Sequence, residues 1–394
     1  MRALRVVPSA CGRKRSSTLA RLDQSSTAAL RTTTELRYIL APMLALFVVY
    51  VTVAVLQAVL PGRWVDGYAF DSSGRRLRYH LNGPLVFAVV IATYVGLAAT
   101  GVIAWDVFYT ERFAMLATAV AIGVVFTLAI VLPAPRVQTS LLKDLYLGRL
   151  ENPQWLGGRL DAKMFLYLVG ATMLELCILS FAAHHWLTHH HRSPGVFLYA
   201  ALFTFFIVDY ISFERVHLYT YDFVAERVGF KLGWGCLAFY PFFYCSALWF
   251  AADLPNPHVH RVWLFVSALI FFAGWVLARG ANLQKFAFKT HPERTAFGPF
   301  AQRALVSGDK RVLISGFWGL SRHVNYLGEL LMATGLALSL GYPSAIWSWL
   351  YPLYYVALLV PRQIDDDRRC KEKYGPLWDE YQRAVPKRII PFVY

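Results

Sequence analysis

The sequence predicts an all-α integral membrane protein of about ten transmembrane helices with a C-terminal cytosolic helical cap. Three observations carry that reading. Of the 394 residues, 57% are hydrophobic and only 16% are charged, where soluble domains hold about a quarter charged. Apolar runs long enough to cross about 30 Å of hydrocarbon recur along the chain. Polar residues gather between and after those runs rather than alternating with apolar ones. Runs of this kind are expected to be helical, because backbone N–H and C=O groups in lipid need partners within their own segment.

Residues 1–36 form a basic arm, with Arg2, Arg5, Arg13, Lys14, Arg15, Arg21 and Arg31 among Ser and Thr. It reads as disordered, with no short apolar segment and cleavage site before the first long run. Residues 37–394 read as one membrane domain. Spans are expected near Tyr38–Leu60, Leu85–Trp105, Phe113–Leu132, Met164–Phe181, Val196–Phe213, Leu232–Ala252 and Val262–Leu277. A further pair, Leu327–Leu340 and Ala345–Val360, is broken at Gly341-Tyr342-Pro343 and is either a hairpin or two crossings. Asp71-Ser72-Ser73-Gly74 is a turn signal inside the polar segment Val65–Gly83, so a small hairpin is expected there. Residues Arg362–Tyr394 never become apolar enough to cross again and read as two short helices broken at Gly375-Pro376.

The net charge of +15 is the charge of loops retained on the cytoplasmic side. It does not indicate nucleic-acid binding, because the aromatic residues lie in the spans and not among the basic ones. The cysteines, Cys11, Cys177, Cys236, Cys245 and Cys370, contain no C-x-x-C pair, so reduced thiols and no structural zinc are expected. The run His184-His185-Trp186-Leu187-Thr188-His189-His190-His191 contains the H-x-x-x-H-H spacing of one di-iron box. His80, His217, His258, His260, His291 and His323 supply no second box, so no metal is expected. No Gly-x-Gly-x-x-Gly follows a strand, which excludes a Rossmann domain.

The polar chemistry concentrates at the C-terminal end. Arg362, Asp366, Cys370 and Tyr374 follow one another at i+4 and share a helix face. Lys285 and Lys289 are an i,i+4 pair at the end of a span, and Trp318, Arg322, Asn325 and Tyr326 share a segment that opens a helix. Separately, each reads as a self-paired face, a snorkelling pair or interfacial aromatics. Together they make a basic, aromatic pocket on one side of the membrane, suited to a dinucleotide with a 2′-phosphate. Within or beside the spans, Glu175, Asp209, Glu214 and Asp222 are the informative acids, either packing hydrogen bonds or facing a substrate.

These blocks resemble the sterol reductase family, which includes the Δ14-sterol, 7-dehydrocholesterol and sterol C24(28) reductases and the membrane part of lamin B receptor. The matching segments are LPGRWVDGYAFDSSGRRLRYHLNG, DLYLGRLENP, ERVHLYTYDFVAERVGFKLGWGCLAFYPFFY, GANLQKFAFK, SGFWGLSRHVNYLGELLM and DDDRRCKEKYGPLWDEYQRAVPKRIIPFVY. The resemblance implies NADPH as cofactor and a sterol carbon–carbon double bond as substrate, drawn from the bilayer. By resemblance the cofactor contacts are Lys285, Leu313, Trp318, Asn325, Tyr326, Asp366, Cys370, Lys373, Tyr374 and Tyr381, with Arg362 matching a family arginine. Lys289 stands where the family usually has Arg, and Arg322 belongs to the same block. The RHVNYLGELLM version is closer to the C14 and C7 branches than to C24(28), so Δ14 is expected first. The chain departs from the family's usual pattern at Val169-Gly170-Ala171, Gly235-Cys236, Pro361 and Gln363.

The resemblance also sets the expected chemistry. An isolated sterol double bond must be protonated before a hydride can add, so the site needs an acid and a dry, cation-tolerant surface. Tyr381 is the expected acid or proton relay, oriented by Asp366 and Arg362; Glu214 or Asp222 from the membrane side is the alternative. Two other readings use the same residues: a catalytically silent sterol-binding protein, and an enzyme like the isoprenylcysteine carboxyl methyltransferases. The expected location is the endoplasmic reticulum of a eukaryote or the inner membrane of a bacterium, with the cofactor site facing the cytoplasm.

Overall fold

The computed structural model describes residues 40–71 and 73–394. The basic arm and the start of the first expected span lie outside the described residues. The fold is mostly helical. Among the described residues, six helices are long and apolar enough to cross a membrane: α1 (Leu40–Val59), α3 (Arg112–Val131), α4 (Ala162–Thr188), α5 (Pro194–Ser212), α6 (Phe230–Ala251) and α7 (Arg261–Thr290). A shorter apolar helix, α2 (Gly83–Ala99), stops well before the expected Trp105. The Thr100 hydroxyl turns back onto the Gly96 carbonyl at 2.9 Å, and Gly101 takes a left-handed φ of +75°, which ends the helix.

The helices differ in what they face. α1 exposes Leu40, Leu44, Phe47, Val51 and Val55 at spacings of three and four. Such a stripe suits acyl chains and would invite aggregation in water. α4 is the central post: 83% of its most apolar eighteen residues are buried, against 22% for α7. Glu175 on α4 is buried and accepts a 2.8 Å hydrogen bond from Thr204 on α5, so of its two readings the structure shows the packing bond.

The last third of the chain builds the site. α7 packs along α8 (Val324–Ser339) through glycines on both helices. A Cβ at Gly274 would come within 2.5 Å of the Gly328 carbonyl, and one at Gly328 within 2.4 Å of the Ala278 amide. Small residues thus let these two backbones meet. Gly341, with φ +83°, ends the connection expected at Gly341-Tyr342-Pro343. α9 (Leu350–Tyr374) then runs 25 residues through Pro361. The first cap helix is therefore the continuation of the last apolar one, not a separate short helix as expected. The break at Gly375-Pro376 is where the sequence places it: Gly375 is left-handed and Pro376 opens α10 (Pro376–Ala384).

The expected hairpin is present. β1 (Arg63–Phe70) pairs antiparallel with β2 (Arg76–Leu81), and the Asp71 carboxylate accepts the Ser73 and Arg75 amides at 2.9 Å to set the turn. The register shifts between Asp66 and Phe70, a bulge that re-aims the residues between them.

Candidate functional site

A cavity of about 630 Å³ runs between α5, α6, α7, α8 and the cap. Its inner end lies among apolar helices and its outer end among α7, α9 and α10.

The outer end is assembled around Gln284, which is fully buried on α7. Its amide donates to the Ser315 carbonyl at 3.1 Å and accepts from the Phe317 amide at 3.0 Å. Gly316 has φ +64°, and a Cβ there would collide with Gln284 at 2.4 Å, so only glycine makes this turn. Trp318 is thereby laid against α7, its indole donating to the Ala281 carbonyl at 2.8 Å and its ring 5.4 Å from the Lys285 ammonium. Lys289 follows one turn later and Lys373 approaches from α9. Among the described residues, Lys285, Lys289 and Lys373 form no ion pair with a carboxylate; their close partners are the rings of Trp318 and Tyr68 and the Tyr68 hydroxyl. Burial pulls the Lys373 ammonium down, but the Tyr68 hydroxyl and Tyr374 outweigh it and hold the group above the usual lysine range. Burial also pushes the Cys370 thiol up to about 11.

The middle of the cavity holds two pairs. The Tyr326 hydroxyl donates to Asp366 at 2.5 Å. Arg362 donates to Asp222 at 2.8 Å and lies 3.8 Å from Glu226. Burial works to raise the Asp222 carboxyl, but Arg362, Tyr167, Lys231 and Lys163 together hold it below the ordinary range. Beside Tyr326, the buried Asn325 carboxamide oxygen has no hydrogen-bond partner among the described residues.

The inner end is lined by Tyr240, Tyr244, Tyr354, Tyr355 and Glu329, with the Asp209–Arg279 ion pair at its edge. α6 departs from α-helical geometry here, with a π turn at Gly235–Phe239 and Pro241 just after it. π turns often mark functional sites. The segments departing at Gly170 and Cys236 lie against one another: a Cβ at Gly170 would meet the Cys236 carbonyl at 2.7 Å and Tyr240 at 2.5 Å.

The expected residues come together with one exception. Lys285, Lys289, Leu313, Trp318, Arg322, Asn325, Tyr326, Arg362, Asp366, Cys370, Lys373, Tyr374, Tyr381 and Asp222 all line this cavity. Glu214 does not. Its carboxylate accepts the Gly83 amide at 3.0 Å beside a separate small cavity, because the short turn Glu214–His217 carries it toward α2. Tyr381 reaches the cavity, but Asp366 and Arg362 do not orient it: its buried hydroxyl donates to the Trp318 carbonyl at 3.1 Å. Arg322 is also committed, donating to the Val385 and Pro386 carbonyls at 3.1 and 3.0 Å and to Asp367 at 3.3 Å, which ties the C-terminal tail to α8. Gln363, a departure from the family pattern, donates to Asp367 at 2.9 Å in the same tie.

Sequence reasoning missed Glu329, Tyr240, Tyr244 and Tyr68. Glu329 had a usable signal, an acid within an expected span; the tyrosines had none, since only the fold brings Tyr240 and Tyr244 to the cavity and Tyr68 to Lys289 and Lys373.

Comparison with known proteins agrees with this geometry. The model of the ergosterol biosynthesis ERG4/ERG24 family matches residues 11–394. A Δ(14)-sterol reductase from Arabidopsis thaliana is 32% identical over 363 residues, covering 88% of this chain and 94% of the relative. Those of Ascobolus immersus and of the bacterium Methylotuvimicrobium alcaliphilum are 32% and 30% identical, covering 89% and 86% of this chain and 85% and 80% of the relatives. A family match along nearly the whole chain, joined to a cavity that gathers the motif residues, places this protein among the sterol reductases of the ergosterol biosynthesis ERG4/ERG24 family.

Proposed function

We propose that the chain reduces the Δ14 double bond of a sterol with NADPH. The observation that carries the cofactor assignment is the lysine cluster. Three ammonium groups converge with none of them in an ion pair with a carboxylate among the described residues, and such a set is completed by a multiply charged anion. The unpartnered Asn325 oxygen and the Trp318 ring suit the amide and ring systems of a dinucleotide. The residues present therefore fit NADPH, with Lys285, Lys289 and Lys373 toward its phosphates. Bound there, the cofactor supplies a hydride. The Δ14 assignment rests on the relatives, which are named Δ(14)-sterol reductases.

The chain's own residues supply the proton and the surroundings. The Tyr326 hydroxyl, held in place by its hydrogen bond to Asp366 Oδ2, relays a proton to the alkene, and a solvent proton then restores the hydroxyl. Arg362, held by Asp222, positions α9 so that Asp366 meets Tyr326. Tyr240, Tyr244 and Tyr354 line the inner end, and aromatic rings there stabilise the positive charge that develops on the sterol. Tyr381 positions Trp318, and Asp222 acts through Arg362. α2, α8 and the apolar half of α9 bring the six long helices to a bundle of about nine crossings. The cap and the basic loops then face the cytoplasm, in a eukaryotic endoplasmic reticulum or a bacterial inner membrane.

Purified protein incubated with NADPH and a Δ8,14-sterol should yield the 14,15-dihydro product by mass spectrometry. No product, with NADPH bound, would remove the Δ14 assignment.

A further inference from the structure

We propose that Tyr68, on the bulged hairpin strand far from the C-terminal motifs, is a further cofactor-positioning residue whose hydroxyl donates to the 2′-phosphate of NADPH. The inference rests on the cofactor reading above and assigns a residue that it does not include.

The lysine cluster is finished from an unexpected side. Tyr68 lies in β1 where the register with β2 shifts, and the bulge turns its ring toward α7. There it packs on Tyr219, with ring centroids 5.7 Å apart, and Tyr219 packs edge-on against Phe286 of α7 at 5.0 Å. The hairpin is thus docked on the helix that carries Lys285 and Lys289. Within the hairpin, Gly67 leaves room for the Tyr79 ring of β2, which a Cβ there would meet at 2.4 Å. The Lys289 ammonium stands 4.5 Å from the centre of the Tyr68 ring, and the Lys373 ammonium donates to the Tyr68 hydroxyl at 2.9 Å.

The hydroxyl is only half used. It accepts from Lys373, and its own hydrogen has no acceptor among the described residues. A phosphate oxygen that binds the Lys373 ammonium is within reach of that hydrogen. A phenol beside two ammonium groups that lack a carboxylate is a phosphate donor in the same sense as the lysines, but uncharged and rigid.

The 2′-phosphate is the phosphate in question because of where the two ends lie. Arg279, at the inner end, and Lys289 are ten residues apart on α7, about 15 Å along its axis. The nicotinamide has to approach the sterol at the inner end, which leaves the adenosine end with the lysines. Tyr68 therefore contributes to the choice of NADPH over NADH and does not touch the reacting atoms.

The test is equilibrium binding of NADPH, NADH and 2′,5′-ADP to wild-type protein and to Tyr68→Phe in detergent, by calorimetry. Phenylalanine keeps the ring against Lys289 and Tyr219, and an unchanged unfolding midpoint checks that the hairpin stays docked. The expected result is a loss of roughly tenfold to a hundredfold for NADPH and 2′,5′-ADP, the cost of one hydrogen bond to a charged group, with NADH unchanged. Unchanged NADPH affinity would overturn the proposal. So would an equal loss for NADPH and NADH, which would make Tyr68 a structural latch. Wild-type protein that does not prefer NADPH to NADH would remove the cofactor reading itself, and this result is seen before any variant is made.

Discussion

The two ends of the cavity handle charge in opposite ways. At the outer end Lys285, Lys289 and Lys373 share aromatic partners and no carboxylate. Further in, Arg279 is bound to Asp209 and Arg362 to Asp222. The first arrangement is complete only with an anion. The second has already neutralised its cations and leaves tyrosine rings to meet a neutral lipid. On the proposed reading, one cavity serves a charged cofactor at its outer end and a neutral lipid at its inner end, with the Tyr326–Asp366 pair between them.

The largest expected effect probes that junction. Tyr326→Phe should lower turnover about a hundredfold or more, while NADPH affinity stays within a few fold; retained turnover would move the relay elsewhere. At the outer end, Lys285→Met should weaken NADPH about ten- to a hundredfold in a fluorescence titration and leave sterol binding unchanged. Equal losses for both ligands would erase the contrast between the ends.

A pH experiment sharpens the neutral character of the membrane side. Burial raises the Glu214 carboxyl from 4.5 to about 7, against the lowering effect of the Gly83 amide. The native state therefore favours the protonated acid. The stability from this preference is present below about pH 4.5 and is lost as pH rises through 7, on the order of 3 kcal/mol. The unfolding midpoint should fall over that window, and Glu214→Gln should flatten the fall. An unchanged profile in the variant would assign the pH dependence to other groups. The smallest effect concerns Cys370. With its thiol pushed up to about 11, maleimide labelling in a Cys11→Ser background should be slow at pH 7, and NADPH should slow it a few fold further. Fast labelling unaffected by NADPH would place Cys370 outside the occupied site.

The fold and the outer site were largely legible in the sequence for one physical reason. Apolar runs and i+4 spacings are local, so the face of Arg362, Asp366, Cys370 and Tyr374 and the Lys285–Lys289 pair appear before any folding is known. What was illegible depends on contacts through space. Tyr68 meets Lys373 across 305 positions, and no pattern in the chain announces it. Glu214 and Asp222 look alike in sequence, eight residues apart in one polar segment, yet one short turn sends the first to α2 and leaves the second on Arg362. Tyr381 lines the cavity as expected, but its hydroxyl direction was set by Trp318, a backbone partner that residue type alone does not reveal.

The most direct test of the account is turnover of Δ8,14-, Δ7- and Δ24(28)-sterols by the purified protein, with NADPH and with NADH, followed by mass spectrometry. The account predicts reduction of the Δ8,14-sterol at C14 with NADPH and little or none with NADH. Reduction of another bond in preference, or equal rates with the two cofactors, would contradict it.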